Sequence, residues 1–171
     1  NELPNVETQP DDCLNPYSIS KVNGEKLCSM YTKLFDLPTV IFRYFNVYGP
    51  GQPATGAYAL VLGIFIDRFK KGERLEIHGS GEQRRDFIHV LDIVKANVAA
   101  MNSATVGEIF NIGSGINYSI KELANFFPIE NYHAERRSGD AEETLADISK
   151  AQKYLDWNPE ISLEQGIRQL I

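Results

Sequence analysis

The stretch 39–45 is the sequence feature that most constrains the fold. It reads Thr-Val-Ile-Phe-Arg-Tyr-Phe, and the preceding Pro38 keeps a helix from running into it. A near-continuous apolar strand of this kind is typical of a parallel sheet that is covered on both faces. Helical patterns precede and follow the strand, and helices that alternate with strands indicate an α/β layer architecture. We therefore expect an α/β fold with a parallel sheet.

Local signals predict the remaining elements. Asn15-Pro16 is a typical helix start, with Asn at the cap and Pro in the first turn, and this helix should run to about Phe35. Capping boxes predict further helix starts at Ser119, Ser149 and Ser162. Other predicted helices span 58–71 and 91–103, and other predicted strands span 75–78, 86–90, 108–112 and 132–136. The stretches 46–56 and 113–118 are interpreted as connections.

Composition excludes several classes of function. The net charge of −6 argues against a general nucleic-acid binder, whose surface would be basic. The two cysteines and three histidines show no metal-ligand spacing, so no metal site is expected. Unpaired thiols favour a reducing, cytoplasmic setting. The sequence has no long apolar run, so no membrane association is expected.

Tyr17 and Lys21 are the first candidate chemical groups. They are four residues apart at the start of the first predicted helix, about 6 Å along its axis, so both side chains project from one face. An ammonium favours the phenolate form of a nearby phenol, which makes proton exchange with a hydroxyl feasible. Most pairs with this spacing are ordinary surface neighbours, so the pair gains weight only from other motifs.

Three further clusters could bind a ligand. Residues 43–52 run from the apolar strand into a Gly/Pro-rich loop at its carboxyl end, where open α/β sheets bind ligands. Arg84-Arg85 and Arg136-Arg137 could each hold a phosphate, although strand alternation predicts that only one of Arg84 and Arg85 faces a ligand. Each cluster could instead be an ordinary turn or a solvated loop. Gly113-Ser114-Gly115 imitates a dinucleotide-binding loop, but Tyr118 replaces its last glycine.

Taken in order, these motifs resemble the nucleotide-sugar epimerase/dehydratase family of extended short-chain dehydrogenase/reductases. The resemblance rests on Pro16-Tyr17-Ser18-Ile19-Ser20-Lys21, Arg43-Tyr44-Phe45-Asn46-Val47-Tyr48-Gly49-Pro50, Arg85-Asp86-Phe87-Ile88-His89-Val90-Leu91-Asp92, Asn111-Ile112-Gly113-Ser114-Gly115, Arg137-Ser138-Gly139-Asp140 and Ala146-Asp147-Ile148-Ser149-Lys150-Ala151. Within the family the chain is most similar to UDP-glucose and UDP-N-acetylglucosamine 4-epimerases, and it looks like their C-terminal half.

The resemblance assigns a role to each candidate residue. Tyr17 would be the catalytic acid/base, and Lys21 would bind the nicotinamide ribose of NAD and assist Tyr17. Tyr44 would lie against the nicotinamide side of the cofactor. The residues expected to bind the UDP-sugar are Asn46 and Arg85 with Arg137 at the phosphates, Asp140 at the uridine ribose, and Leu75, Ile77 and His78 along the uracil.

The same resemblance implies a reaction and a domain organisation. The enzyme would oxidise the sugar at C4 reversibly through a 4-keto sugar, with NAD as a resident cofactor. Residues 1–56 and 91–118 would be the remainder of an NAD(P)-binding Rossmann domain, and 57–90 with 119–171 a small α/β substrate domain. The family's Gly-rich cofactor loop has no counterpart here, so the 171-residue chain alone is expected to have negligible activity.

Other interpretations stay open. A 4,6-dehydratase or a UDP-glucuronate decarboxylase would share these motifs, and the residues that distinguish them would precede Asn1. A nucleotide-sugar-binding module without catalysis would keep the arginines alone. The Tyr-bearing helix often contributes to a dimer in the family, and uncovered apolar surface would also favour self-association, so a homodimer or another self-associated form is expected.

Overall fold

The computed structural model describes residues 2–13, 15–56, 59–136 and 141–171. Within these ranges the helices are α1 (Pro16–Phe35), α2 (Val61–Lys70), α3 (Val90–Asn102), α4 (Ile120–Ala124), α5 (Ser149–Leu155) and α6 (Leu163–Leu170). The strands are β1 (Val40–Tyr44), β2 (Asn46–Tyr48), β3 (Leu75–His78), β4 (Arg84–His89), β5 (Glu108–Ile112), β6 (Asn117–Ser119) and β7 (Asn131–Ala134). The expected α/β architecture is confirmed.

The strands form three small sheets rather than one. β1 pairs with β5 in parallel, and β3 pairs with β7 in parallel. β4 lies at the centre of the third sheet, parallel to β2 and antiparallel to β6. Because β3 and β4 belong to different sheets, the charged segment between them is not the tip of a hairpin.

The chain changes sheet at Phe45. β1 ends at Tyr44, and the Phe45 N–H donates to the carbonyl of Ile112 at 3.0 Å, which is the last link to β5. From Asn46 the chain pairs with β4 instead. The prediction that 46–56 is irregular throughout was therefore wrong for its first three residues. The change of partner carries Asn46 away from the β1–β5 sheet.

Helix starts follow the sequence signals with one exception. Asn15 caps α1 in a capping box with Ser18, and the boxes at Ser119 and Ser162 are present. The box predicted at Ser149 was wrong, because the Asp147 carboxylate accepts the Ser149 N–H at 2.9 Å instead. That carboxylate lies just before the first turn of α5, where negative charge is favoured.

Two hydrophobic cores hold the described elements together. One lies between α2, α4, α6 and the strands β3 and β4, and the other lies between α3, α5 and β5. The packing crosses the predicted domain bounds, because Leu155 of α5 belongs to the β5 core and Tyr48 of β2 belongs to the other. Among the described helices, none has the length and apolar character needed to cross a bilayer.

Candidate functional site

A cavity of about 550 Å³ opens between α2, β3 and the start of β4. Its walls include Asn46 of β2, His78 of β3 and Arg85 of β4. These three predicted ligand contacts are far apart in sequence and lie on strands of two different sheets. A volume of this size accommodates a small organic ligand. The fold therefore gathers part of the predicted substrate site into one place.

Strand alternation divides β3 between core and cavity. Leu75 and Ile77 are 0% and 1% exposed and pack in the core, whereas Glu76 and His78 line the cavity. The side chains of Leu75 and Ile77 therefore face away from the cavity, and a ligand contact from these two residues would be limited to their backbone. Glu76 was missed by the sequence analysis, although the alternation of residues 75–78 places it beside His78.

Glu76 is held by partners from two other elements. Its Oε2 accepts from Arg68 Nη2 at 2.6 Å and from Tyr132 Oη at 2.8 Å. Its Oε1 lies 3.4 Å from Nε2 of His78. The hydrogen bond from Tyr132, with the nearby charge of Arg68, lowers the pKa of Glu76. Glu76 is therefore ionised at neutral pH.

The two adjacent arginines point in opposite directions, as alternation predicts. Arg85 lines the cavity and donates from Nη1 to the Arg84 carbonyl at 2.8 Å. Arg84 donates from Nε to Oδ1 of Asn117 at 2.8 Å, and its Nη2 lies 3.0 Å from Oε2 of Glu122. Arg84 thus ties β4 to β6 and α4, whereas Arg85 lies at the cavity wall.

The buried Asp86 fixes the strand that carries Arg85. Its carboxylate is 0% exposed and accepts the backbone N–H groups of Ser114, Gly115 and Ala146, together with the Ser114 hydroxyl. Burial raises the pKa of Asp86, and these hydrogen bonds oppose that rise. The Asp86 carbonyl also accepts Asn46 Nδ2 at 3.2 Å. Asp86 therefore links the turn 113–115 to the two cavity residues Asn46 and Arg85, and sequence analysis placed it only within a motif.

Tyr17 and Lys21 lie together on the first turns of α1. The Lys21 ammonium is 5.1 Å from the centre of the Tyr17 ring, and the Tyr17 side chain is 60% exposed. Among the described residues, Lys21 makes no salt bridge. Neither residue lines the cavity. The predicted spacing on one helix face is confirmed, and both groups are open to a molecule that would approach α1.

The Tyr44 side chain contacts α3 and not the helix α1 that carries Tyr17 and Lys21. Its phenol accepts from Asn97 Nδ2 of α3 at 2.9 Å, and its ring lies 5.8 Å from that of Phe42. Arg43, one residue earlier, points to the opposite side of β1 and pairs with Glu25 of α1 at 2.7 Å. Tyr44 is therefore on the α3 side of the sheet, whereas Tyr17 and Lys21 are on α1. Arg137 and Asp140 lie outside the described residues.

A comparison with known proteins identifies the family. Residues 1–113 match the model of the NAD dependent epimerase/dehydratase family. The chain belongs to this family. It is 39% identical over its whole length to a putative UDP-glucose 4-epimerase of Methanocaldococcus jannaschii, of which it covers 57%. It is 34% identical over 98% of its length to a UDP-glucose 4-epimerase of Mycolicibacterium smegmatis, of which it covers 55%.

Solved structures agree with the sequence relatives. The chain superposes with a TM-score of 0.94 on the UDP-glucose 4-epimerase of Thermotoga maritima, which was crystallised with UDP-glucose. The two are 34% identical, and the match covers 99% of this chain and 56% of the other. The chain thus spans about half the length of the relatives that it matches. The expected extended short-chain dehydrogenase/reductase fold is confirmed, and the family depends on NAD.

Proposed function

We propose that this chain supplies the nucleotide-sugar-binding portion, and the Tyr/Lys pair, of an NAD-dependent UDP-sugar 4-epimerase. The observation that carries the proposal is the convergence of Asn46, His78 and Arg85 on one cavity. A guanidinium binds phosphate oxygens in a bidentate manner, an amide donates to a third oxygen, and an imidazole can contact a nucleobase through its ring nitrogens. Together they match the diphosphate and base of a nucleoside diphosphate.

Tyr17 and Lys21 fit the remaining chemistry. Because the phenol is exposed on α1, it can reach a sugar hydroxyl and exchange a proton with it. The Lys21 ammonium lies 5.1 Å from the centre of the Tyr17 ring, and it can donate to the ribose hydroxyls of a dinucleotide. When bound, NAD supplies hydride acceptance and return at the sugar carbon. Tyr17 and Lys21 would hold it at the nicotinamide ribose, and the role of Tyr44 beside it stays a prediction.

Two-dimensional NMR of the 19.2 kDa chain tests both parts. UDP should shift the backbone signals of Asn46, His78 and Arg85, and millimolar NAD⁺ should shift those of Tyr17 and Lys21. Arg85→Gln should weaken UDP binding about 10- to 100-fold, which corresponds to a charge-assisted hydrogen bond of about 1.5–3 kcal/mol. Arg168→Gln removes the same charge from an exposed side chain of α6 and should leave UDP binding unchanged.

The outcomes separate the proposal from a second candidate. The cavity is built from residues of this chain, whereas Tyr17 and Lys21 stand apart from it, which would suit a nucleotide-sugar-binding module without catalysis. UDP binding with no NAD⁺ response at Tyr17 favours that module, and no response to UDP contradicts both. Negligible turnover of UDP-galactose with added NAD⁺ stays our prediction for the chain alone, and measurable turnover would contradict it.

A further inference from the structure

The end of the cavity formed by β3 presents two hydrogen-bond acceptors side by side. Nδ1 of His78 lies 2.9 Å from the carbonyl oxygen of Glu135. A carbonyl only accepts, so Nδ1 carries the proton in this arrangement. Nε2 of the neutral ring is then an acceptor, and it lies 3.4 Å from Oε1 of Glu76, which also only accepts. Either a proton on Nε2 or a donor from a ligand satisfies this pair.

The Glu76 carboxylate cannot turn away from this position easily. Its other oxygen accepts from Arg68 and Tyr132 at 2.6 and 2.8 Å, and Arg68 Nη1 also donates to the Tyr132 hydroxyl at 3.3 Å. Arg68 is itself fixed by the Arg74 carbonyl at 3.0 Å, and Tyr132 lies opposite Glu76 across the β3–β7 pair. Partners on α2 and β7 therefore keep Oε1 of Glu76 beside the imidazole of His78.

We infer that Glu76 determines which nucleobase the cavity accepts, because its fixed carboxylate selects a base that presents a ring N–H. Uracil has such a donor at N3, and cytosine has a lone pair there. Cytosine would place a third acceptor against Glu76 and His78, and these two acceptors would lack a donor from the ligand. The lowered pKa of Glu76 agrees with this role, because only the ionised carboxylate lacks a proton to donate. The inference rests on the proposed function, since it concerns the base of the same nucleotide.

UDP and CDP differ at N3 and also at C4, where cytosine has an amine in place of a carbonyl, so a ligand altered at N3 alone accompanies this comparison. Calorimetric titration of the wild-type chain should show UDP bound about 10- to 100-fold more tightly than CDP. In Glu76→Gln the side-chain oxygen can still accept hydrogen bonds from Arg68 and Tyr132, while the amide N–H groups face His78 and the ligand. The preference for UDP should therefore fall at least tenfold, with CDP bound more tightly than by the wild type.

A matched variant and a modified ligand complete the test. Glu73→Gln removes the same charge from the wall of the same cavity but leaves the partners of Glu76 in place, so the UDP-to-CDP ratio should be kept. N3-methyl-UDP lacks the donor and should bind the unaltered chain at least tenfold more weakly than UDP, which requires no variant to fold.

An unchanged ratio in Glu76→Gln, or equal binding of N3-methyl-UDP and UDP, overturns the inference alone. Failure of the wild-type chain to bind UDP overturns the proposed function instead.

Discussion

His89 is a buried residue whose ionisation the fold controls. It is 1% exposed, its ring packs edge-on against Tyr48, and its Nδ1 accepts the Leu91 N–H at the start of α3. Its Nε2 has no hydrogen-bond partner among the described residues. Burial lowers the pKa of His89 from 6.5, and the charge of Asp92 only partly opposes this. The folded chain therefore holds His89 in its neutral form.

Because His89 is held neutral in the folded chain, we expect the free energy of unfolding to depend on pH. Below pH 6.5 the unfolded chain binds a proton at His89 that the folded chain does not. The free energy of unfolding therefore falls as the pH drops from 6.5 towards the lowered pKa of His89 in the folded chain. Urea unfolding at about pH 7.5 and about pH 5.5 should show this loss. His89→Asn keeps a helix-capping acceptor without a titrating ring, so the loss should shrink. His133→Asn, at an exposed position, should retain it, and an undiminished loss in His89→Asn would contradict this assignment.

At the scale of elements, α6 and β2 meet at a glycine. A Cβ on Gly166 would lie 2.2 Å from the Tyr48 hydroxyl and 2.7 Å from its ring. The Tyr48 side chain is 2% exposed and its hydroxyl approaches the Ser162 carbonyl at 3.4 Å, so the ring has little room to move. The close approach of α6 to β2 therefore depends on the missing side chain at position 166.

Gly166→Ala should destabilise the chain although alanine is the better helix former. We expect a loss of about 1–3 kcal/mol in the free energy of unfolding from overpacking, which exceeds the helical gain of about 1 kcal/mol. Gly24→Ala is the matched control, because it lies within α1 with nothing within 4 Å of a Cβ. It should stabilise the chain by up to about 1 kcal/mol. Urea denaturation of both variants gives the comparison, and stabilisation by Gly166→Ala would show that Tyr48 can move.

At the scale of the whole molecule, α1 is the most exposed of the long elements. None of its 20 residues is buried, and an apolar row on one face includes Leu27, Tyr31 and Leu34, with exposed fractions of 55%, 46% and 69%. A contiguous row of exposed apolar side chains favours association with another surface. The self-association expected from the sequence therefore has a structural candidate.

Sedimentation velocity should show an average mass that rises with protein concentration. Leu34→Glu places a charge in the apolar row and should shift the distribution towards the monomer of 19.2 kDa. Tyr154→Glu introduces the same charge at an exposed aromatic residue of α5 and should leave association unchanged. A monomer mass that is independent of concentration would refute the expectation of a homodimer or other self-association.

Parts of the site could be predicted because their chemistry is local. The helical spacing of Tyr17 and Lys21 follows from one turn of helix, and the opposite directions of Arg84 and Arg85 follow from strand alternation. Glu76 could have been found in the same way, because Leu75 and Ile77 occupy the other face. Arg68 and Tyr132 could not, because they reach Glu76 only through the packing of α2 and the pairing of β7 with β3.

The sequence by itself determined the helices and the strands other than β2 and β6, the capped starts of α1, α4 and α6, and the motifs that identify the family. These depend on contacts within a few residues, which are encoded wherever the segment lies. The tertiary structure alone decided that the chain leaves one sheet for another at Phe45, and that Asn46, His78 and Arg85 meet at one cavity. The physical reason is that strand pairing and burial of side chains join residues far apart in sequence, and no local pattern records which distant partner is chosen.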